Sequence, residues 1–225
     1  MRKRYCCADN RMMHFFSNDL GTTWRTTPIQ VSRGATVGKA NVFPWIAADA
    51  NGHVVVTWFG ANLAGNSNDA SAFEQTCSDG TTSCWAQWNV YVAESVNAHN
   101  VKVTFMQSTA SDHVIHYGTV STGGLGGSAN RNLGDFYQLA LDNQHRANVT
   151  FADDHLASPL CTTQSPGHCA NNDPASFRVA TPFFTYQLKA NPNVQNDWKV
   201  RRELNKSAYA RPEPCRKGET SKASN

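Results

Sequence analysis

Short apolar runs separated by polar turns fill most of the chain, and no long run repeats with the period of an amphipathic helix. The pattern is clearest in "FPWIAADANGHVVVTWFG", which begins at Phe43, and in "FYQLALDNQHRANVTFAD", which begins at Phe136. Each segment has an apolar run, a polar turn and a second apolar run, which is typical of a β-hairpin. The shared positions pair Phe43 with Phe136, Ala47 with Ala140, Asp49 with Asp142, Val56 with Val149 and Thr57 with Thr150. The two segments therefore predict two copies of one structural unit.

Each hairpin is followed by a polar loop with two cysteines and then by two more apolar runs. The first copy continues with "WNVYVAES" and "VKVTFMQS", and the second with "FRVATPFFTYQL" and a run near Trp198. A further hairpin, around "SNDLGTTW", opens the chain. This order predicts an all-β protein built of four-stranded antiparallel units.

Composition and charge argue against several classes of protein, namely disordered, coiled-coil, nucleic-acid-binding and membrane-spanning chains. Of the 225 residues, 40% are hydrophobic and 16% are charged, and because disordered and coiled-coil chains are charge-rich, both classes are excluded. The net charge of +3 is too small to indicate a nucleic-acid partner. No apolar run approaches the roughly 18 residues of a membrane span, and the start "MRKRYCC" lacks the apolar core of a signal peptide. The basic segment 199–225 predicts a disordered tail.

Two pairs of cysteines bracket short polar loops. Cys77 and Cys84 enclose "SDGTTS", and Cys161 and Cys169 enclose "TTQSPGH". Neither loop has the C-x2-C type of spacing that structural zinc sites favour. The spacing predicts the disulfides Cys77–Cys84 and Cys161–Cys169, with free thiols as the alternative. Because disulfides persist in oxidising compartments, an extracellular or cell-surface location is expected.

The stretch "SNDLGTTW" matches the pattern S-x-D-x-G-x-T-W at Ser17, Asp19, Gly21, Thr23 and Trp24. In this turn Asp19 can accept backbone hydrogen bonds, and Gly21 can take a positive φ without steric cost. The pattern resembles the Asp-box, or BNR repeat, of sialidase-like β-propellers. The resemblance implies that these five residues are structural.

Other segments extend this resemblance from Arg11 to about Tyr186. They include "VFPWIAAD", "WNVYVAES", "HVIHYG" and "RNLGDFYQLALD", and the turn "SVNAHN" looks like a degenerate Asp-box with Asn97 in place of the aspartate. The resemblance implies a segment of a sialidase-like β-propeller with about two and a half four-stranded blades, too few to close a ring. The implied ranges are 1–198 for the segment, 11–33 for the Asp-box hairpin, 40–110 and 113–198 for the blades, and 199–225 for the tail. The chain is therefore expected to be an N-terminally truncated piece of a larger propeller.

The same resemblance guides the functional expectation. Exo-sialidases bind the substrate carboxylate with three arginines, and they use a Tyr–Glu pair as nucleophile and an Asp as acid/base. The nearest matches to the first arginine motif are "FPWI" and "FYQL", which lack the arginine, and Gln138 stands in its place. We therefore expect a module that binds a glycan or serves as a scaffold without catalysing a reaction alone. The alternatives are part of an exo-sialidase whose other catalytic residues lie outside this chain, and a decayed gene.

Arg131 and Asp135 precede the second of these strands, in "NRNLGDF". In the family this position faces the ligand cleft, so both residues are candidates for ligand binding and catalysis; the alternative is a structural ion pair. The segment "DHVIHYG" adds His116 as a ligand-binding candidate and Tyr117 as a catalytic one, with polar packing as the alternative. Because His113 and His116 point to opposite faces of a strand, they are expected to make a poor chelate.

No cofactor is expected, and the alternative is calcium. Asp153 and Asp154 in "ADDHL", together with Asp173, could supply carboxylate oxygens to this ion. The expected partner is a glycan or another cell-surface ligand, with neither nucleic acid nor a membrane span. Open blade edges also predict self-association.

Overall fold

A computed structural model shows that the chain is all-β, as the sequence predicted. It describes residues 11–33, 38–75, 77–78, 84–100, 102–123, 129–134, 137–155, 180–188 and 198–201. The strands in these ranges are β1 (Met13–His14), β2 (Ile29–Gln30), β3 (Ala40–Ala48), β4 (Val54–Ala61), β5 (Gln87–Ser95), β6 (Met106–Thr109), β7 (His116–Tyr117), β8 (Gln138–Leu141), β9 (Ala147–Asp153), β10 (Thr181–Gln187) and β11 (Trp198–Arg201). Helix α1 (Ala70–Phe73) is a single turn, and no helix in the described part of the chain has the length and apolarity to cross a membrane.

The strands form three antiparallel sheets, none of them closed. Strands β1 and β2 pair with each other. The second sheet has the order β3-β4-β5-β6, with β7 also paired to β5, and the third has the order β8-β9-β10-β11. The third sheet is therefore a four-stranded meander in chain order, as the sequence pattern predicted, whereas the second has a fifth strand, β7, which pairs with β5 beyond the meander. Strand β11 continues to Arg201, past the predicted start of the tail at residue 199.

The hairpins β3–β4 and β8–β9 repeat each other in detail. The carboxylate of Asp49 accepts the backbone N–H groups two and four residues later, at 2.8 and 3.1 Å. The carboxylate of Asp142 accepts the equivalent pair at 2.8 and 2.9 Å. Gly52 has a φ of +80°, and His145 at the equivalent position has a φ of +60°. The second turn thus keeps a left-handed conformation with a less suitable residue.

Strand β4 is buried along its whole length because both of its faces are covered. One row of its side chains, Val54, Val56 and Trp58, packs with residues of the first hairpin such as Ile29 and Val31. The other row, Val55, Phe59 and Ala61, packs in a cluster with residues of β9 and β10. This alternation explains why β4 reads as a continuous apolar run and not as an alternating one.

The Asp-box turn folds back on itself through its own side chains. Ser17 Oγ donates to Asp19 Oδ1 at 2.6 Å, and the Thr23 amide and hydroxyl donate to the same carboxylate at 2.8 and 2.6 Å. Gly21 has a φ of +88°, the conformation for which glycine was expected. The side chain of Trp24 remains exposed. These hydrogen bonds hold the shape of the turn, and the structural role of all five residues in a propeller stays a prediction.

The turn between β5 and β6 repeats part of this arrangement. Ser95 Oγ donates to Asn97 Oδ1 at 3.0 Å, and the Thr104 amide donates to the same oxygen at 3.3 Å. Asn97 thus takes the position of the aspartate, as its place in "SVNAHN" suggested. The longer bonds follow from the loss of the carboxylate charge, because charge-assisted hydrogen bonds are shorter.

We expect Asp19→Ala to loosen the first hairpin, because three donors of the turn lose their acceptor. The hydrogen bonds from Ser17 and then from Thr23 lower the pKa of Asp19 to about 2, so this contribution is present above pH 4 and is lost as the pH falls towards 2. Amide hydrogen exchange at Thr23 should accelerate, and the melting temperature should fall slightly. Asn18→Ala, next to it in the same turn, should change neither. Unchanged exchange at Thr23 in the Asp19 variant would contradict this assignment.

Cys77 and Cys84 lie at disulfide-bonding distance, with their Cα atoms 5.4 Å apart. This agrees with the prediction for the first cysteine loop, and the separation is typical of natural disulfides. Cys161 and Cys169 lie outside the described residues, so their disulfide stays a prediction.

Candidate functional site

A cleft of about 680 Å³ lies between the edge strands of the two larger sheets. It is mostly apolar, with a few polar side chains. Its lining residues are Trp45, Arg131, Asn132, Leu133, Gly134, Tyr137, Gln138, Thr150, Phe151, Ala152, Ala180 and Pro182. Trp45 comes from the first repeated hairpin, and the other lining residues come from the second hairpin, the loop before it and the start of the strand that follows it. Volume and lining fit a small-molecule or sugar-binding site.

A break in the register of β3 directs Trp45 towards the cleft. The pairing of β3 with β4 shifts between Val42 and Trp45. Phe43, within this shift, has a φ of +52°, which is a strained conformation for an aromatic residue. Pro44 follows it, and proline is tolerated in strands at such irregularities. Trp45 remains 43% exposed, so its indole is available to a ligand.

Arg131 lies in the wall of the cleft, and its role in ligand binding stays a prediction. The short loop that carries it closes with a hydrogen bond of 2.8 Å from the Gly134 amide to the Arg131 carbonyl. Asn132 follows in the same wall and donates to Asp154 at 2.9 Å. Asp135 lies outside the described residues, so its pairing with Arg131 stays a prediction.

Tyr137 fixes the start of β8 against the second sheet. It is buried, its hydroxyl makes a hydrogen bond with the hydroxyl of Thr57, and its ring lies 4.6 Å from the ring of Phe59. Burial raises the pKa of Tyr137 well above its ordinary range, so its hydroxyl stays protonated. The sequence pattern does not indicate this contact, although Thr57 is one of the positions that the two repeats share.

No Asp or Glu is among the described residues that line the cleft. Retaining and inverting glycoside hydrolases usually need a pair of carboxyl groups across the bond that is cleaved. Tyr117, the catalytic candidate, pairs with Gln87 in the second sheet and is not part of this lining. The described cleft therefore has groups for binding and lacks the pair for glycoside hydrolysis.

His116 is buried in the interior, where we expected a ligand-binding residue. Its Nδ1 lies 2.9 Å from both carboxylate oxygens of Asp154, and its Nε2 donates to the Thr119 carbonyl at 2.8 Å. Both ring nitrogens therefore lie within hydrogen-bonding distance of oxygen atoms of the protein. Because His116 is only 1% exposed, its role is structural.

His113 and His155 share the carboxylate of Asp153. His113 Nε2 lies 2.5 Å from one oxygen, and His155 Nδ1 lies 2.5 Å from the other. Burial opposes the charged ring, but hydrogen bonds with Asp153 and Asp112 outweigh it and raise the pKa of His113. Burial also acts to raise the pKa of Asp153, but the two histidines outweigh it and lower that pKa. The result is a compact group of nitrogen and oxygen ligand atoms.

The calcium alternative finds little support in this arrangement. Asp153 and Asp154 take different partners, because the first faces His113 and the second faces His116. Calcium prefers six to eight oxygen ligands, whereas each of these carboxylates is bonded to imidazole. The separate partners also agree with the expectation that His113 and His116 do not chelate one ion together. Asp173 lies outside the described residues.

A second cluster connects the turns of the repeated hairpins. His53 Nε2 lies 2.6 Å from Glu94, and Gln187 donates to the same carboxylate at 2.8 Å. The hydrogen bond with Glu94 raises the pKa of His53 although burial opposes it. His145 Nδ1 lies 2.6 Å from Asp49, which thus joins the two turns. Sequence analysis did not anticipate this cluster.

Comparison with known proteins adds no relative. No family model matches the chain, and neither a curated protein nor a solved structure does.

Proposed function

We propose that the chain is a ligand-binding module of a sialidase-like β-propeller, and that the cleft between β3 and β8 binds an anionic glycan. The observation that carries this proposal is the cleft itself. Equivalent first strands of two repeated sheets meet there, and they bring Trp45 and Gln138 together with Arg131. In a propeller the first strand of each blade lines the central axis, where ligands bind.

The repeated meanders support the blade interpretation. Each larger sheet contains four antiparallel strands that follow one another in chain order, as in a blade, and the second sheet adds the short strand β7. The Asp-box turn and its copy at Ser95 and Asn97 share their hydrogen bonds. Two such sheets and one hairpin correspond to about two and a half blades, so the remaining blades would come from outside this chain.

The chemistry of the cleft suits a sugar that carries a carboxylate. The guanidinium group of Arg131 can bind a carboxylate through two parallel hydrogen bonds. Trp45 offers an exposed aromatic face for the apolar side of a sugar ring.

Binding is favoured over catalysis because the described lining contains no carboxyl group. The second candidate is part of an exo-sialidase, in which other blades would supply the acid, the nucleophile and further arginines. It is supported by Arg131, which lies in the wall of the cleft although the arginine motif of the family is missing. We also propose an extracytoplasmic location, because Cys77 and Cys84 lie at disulfide-bonding distance.

The isolated chain is proposed to self-associate through the outer face of the third sheet, with a second copy as the occupant. Phe184 and Tyr186 lie on this face, are half-buried and stack with ring centroids 5.9 Å apart. In a complete propeller the next blade would cover these side chains. A neighbouring copy offers the same apolar contact to the isolated chain.

The test compares binding of a sialylated trisaccharide, a uronic-acid disaccharide and neutral lactose by calorimetric titration. We expect the two acids to bind and lactose to bind more weakly. Arg131→Gln should weaken binding of the acids about 10- to 100-fold, because a charge-assisted hydrogen-bond pair is lost. Trp45→Ala should weaken binding of all three sugars.

Arg33→Gln is the matched control, because it removes an exposed arginine that does not line the cleft. Equal affinity for acids and lactose, unchanged in Arg131→Gln, would overturn the proposal. Hydrolysis of the sialylated sugar that disappears in Arg131→Gln would instead favour the exo-sialidase alternative.

A further inference from the structure

Three side chains of the types that bind metals lie close together where β9 ends and where the loop before β7 passes it. Asp153 is the last residue of β9, His155 follows it, and His113 lies before β7 in the loop that leads to it. One ligand atom from each, two imidazole nitrogens and a carboxylate oxygen, lies within 4.8 Å of the others. The arrangement joins two segments 40 residues apart, so it depends on the tertiary fold.

We propose that His113, Asp153 and His155 form a binding site for a divalent transition-metal ion, with zinc as the ion that fits best. Imidazole and carboxylate are ligands that zinc prefers, and three protein ligands leave a fourth tetrahedral position for water. Asp153 is fully buried, whereas the side chains of His113 and His155 are 18% and 22% exposed. The carboxylate of the proposed site is therefore held in the interior, and its two imidazole rings are accessible to solvent.

Asp112 contacts the ring nitrogen of His113 that faces away from the proposed site. Its carboxylate is hydrogen-bonded to Nδ1 of His113, so Nε2 of that ring is directed at Asp153. Histidines that bind metals commonly have such a carboxylate on the other ring nitrogen, which fixes the ring and makes it a better ligand. A carboxylate, a histidine and a metal position thus lie in series.

Aromatic packing and the backbone hold the two rings. The centroids of His113 and His155 lie 4.0 Å apart, and Phe183 packs against both at 5.6 and 5.9 Å. The backbone amide of His155 also donates to Asp153 at 2.9 Å. Because the ligands are already close and oriented, little ordering is needed when an ion enters.

A second group of similar composition, Asp49, His53 and His145, fits a metal less well. Nδ1 of His53 lies 3.7 Å from Asp49, farther than the 2.5 Å that separates each histidine of the first group from Asp153, and one oxygen of Asp49 accepts two backbone N–H groups of its turn. His145 is half exposed, with 52% of its side chain accessible. The group serves as a useful control because it has the same ligand types.

The experiment titrates zinc into the full chain after treatment with EDTA and alkylation of free cysteine thiols, since thiolates would bind the ion themselves. We expect about one ion per chain. Cobalt should give the visible absorption of a nitrogen and oxygen site, without the near-ultraviolet band of a thiolate ligand. His113→Asn should lower zinc affinity at least about 100-fold, and Asp112→Asn about 10- to 100-fold, because the second removes only the supporting carboxylate.

His145→Asn is the matched control and should leave zinc affinity unchanged. Asp112→Asn keeps the test decisive if His113→Asn does not fold, because the Asp112 side chain is about half exposed. Absence of saturable zinc binding by the wild-type chain would overturn the proposal. Equal loss in His145→Asn, or full affinity in Asp112→Asn and His113→Asn, would also overturn it.

Discussion

His116→Ala is expected to lower the free energy of unfolding by about 3 to 5 kcal/mol, because it leaves a buried carboxylate without its imidazole hydrogen-bond partner. The affected group is Asp154, whose side chain is 1% exposed and whose carboxylate lies 2.9 Å from Nδ1 of His116. The substitution removes the contacts of both Asp154 carboxylate oxygens with the imidazole, whereas the hydrogen bond from the Asn132 amide stays. Urea denaturation of the wild-type chain and the variant measures this difference.

The double variant His116→Ala with Asp154→Ala should lose clearly less than the sum of the two single variants, because the second substitution removes the stranded charge. His99→Ala, at an exposed histidine, should change the free energy of unfolding by less than about 0.5 kcal/mol. Additive losses would mean that His116 and Asp154 are not coupled. A loss below about 1 kcal/mol in His116→Ala would mean that water reaches this pair.

The same pair connects the interior to the proposed ligand site. Asn132 lines the cleft and also donates to Asp154, so the carboxylate positions a residue beside Arg131. Affinity for the anionic glycan should therefore fall in folded His116→Ala protein, although the histidine does not line the cleft. The expected loss of affinity would come from a displaced Asn132 side chain, which His116 and Asp154 hold in place in the wild-type chain.

Local chemistry explains what could be predicted from the sequence. The hairpin turns depend on Asp49, Asp142 and their near neighbours, and the Asp-box depends on Ser17 and Asp19. All of these contacts span four residues or fewer, so the residue types alone indicate them. The apolar runs also predicted that consecutive strands pair with each other, because the strand period and the turn residues indicate the same hairpins.

The side-chain clusters could not be predicted because they depend on contacts between distant strands. Consecutive carboxylates at Asp153 and Asp154 looked like one oxygen-rich site, yet the fold gives them to different histidines. Asp153 ends β9 and Asp154 lies just beyond it, whereas His116 begins β7 and His113 lies in the loop before it. Trp45 reaches the cleft through a register shift in β3, which the apolar pattern does not encode.

Phe151→Ala is expected to destabilise the chain by about 3 to 5 kcal/mol, because it opens a cavity between the two larger sheets. Phe151 is 1% exposed, stacks on Phe183 with centroids 5.9 Å apart and also forms part of the cleft. Its loss should therefore reduce both stability and affinity for the anionic glycan. Urea denaturation measures the first effect, and titration of the folded variant measures the second.

Phe184→Ala is the matched control, because the same side chain is removed from the neighbouring strand on the opposite face of the sheet. Phe184 pairs with Thr150 and is half-buried, so the dilute monomer should lose only about 1 kcal/mol. If a second copy covers this face, the melting temperature of the wild-type chain rises with protein concentration, and Phe184→Ala removes that rise. A loss in dilute Phe184→Ala as large as in Phe151→Ala would place Phe184 in a core within the monomer. Concentration-independent melting would show that the outer face stays uncovered in the isolated chain, which would contradict self-association through it.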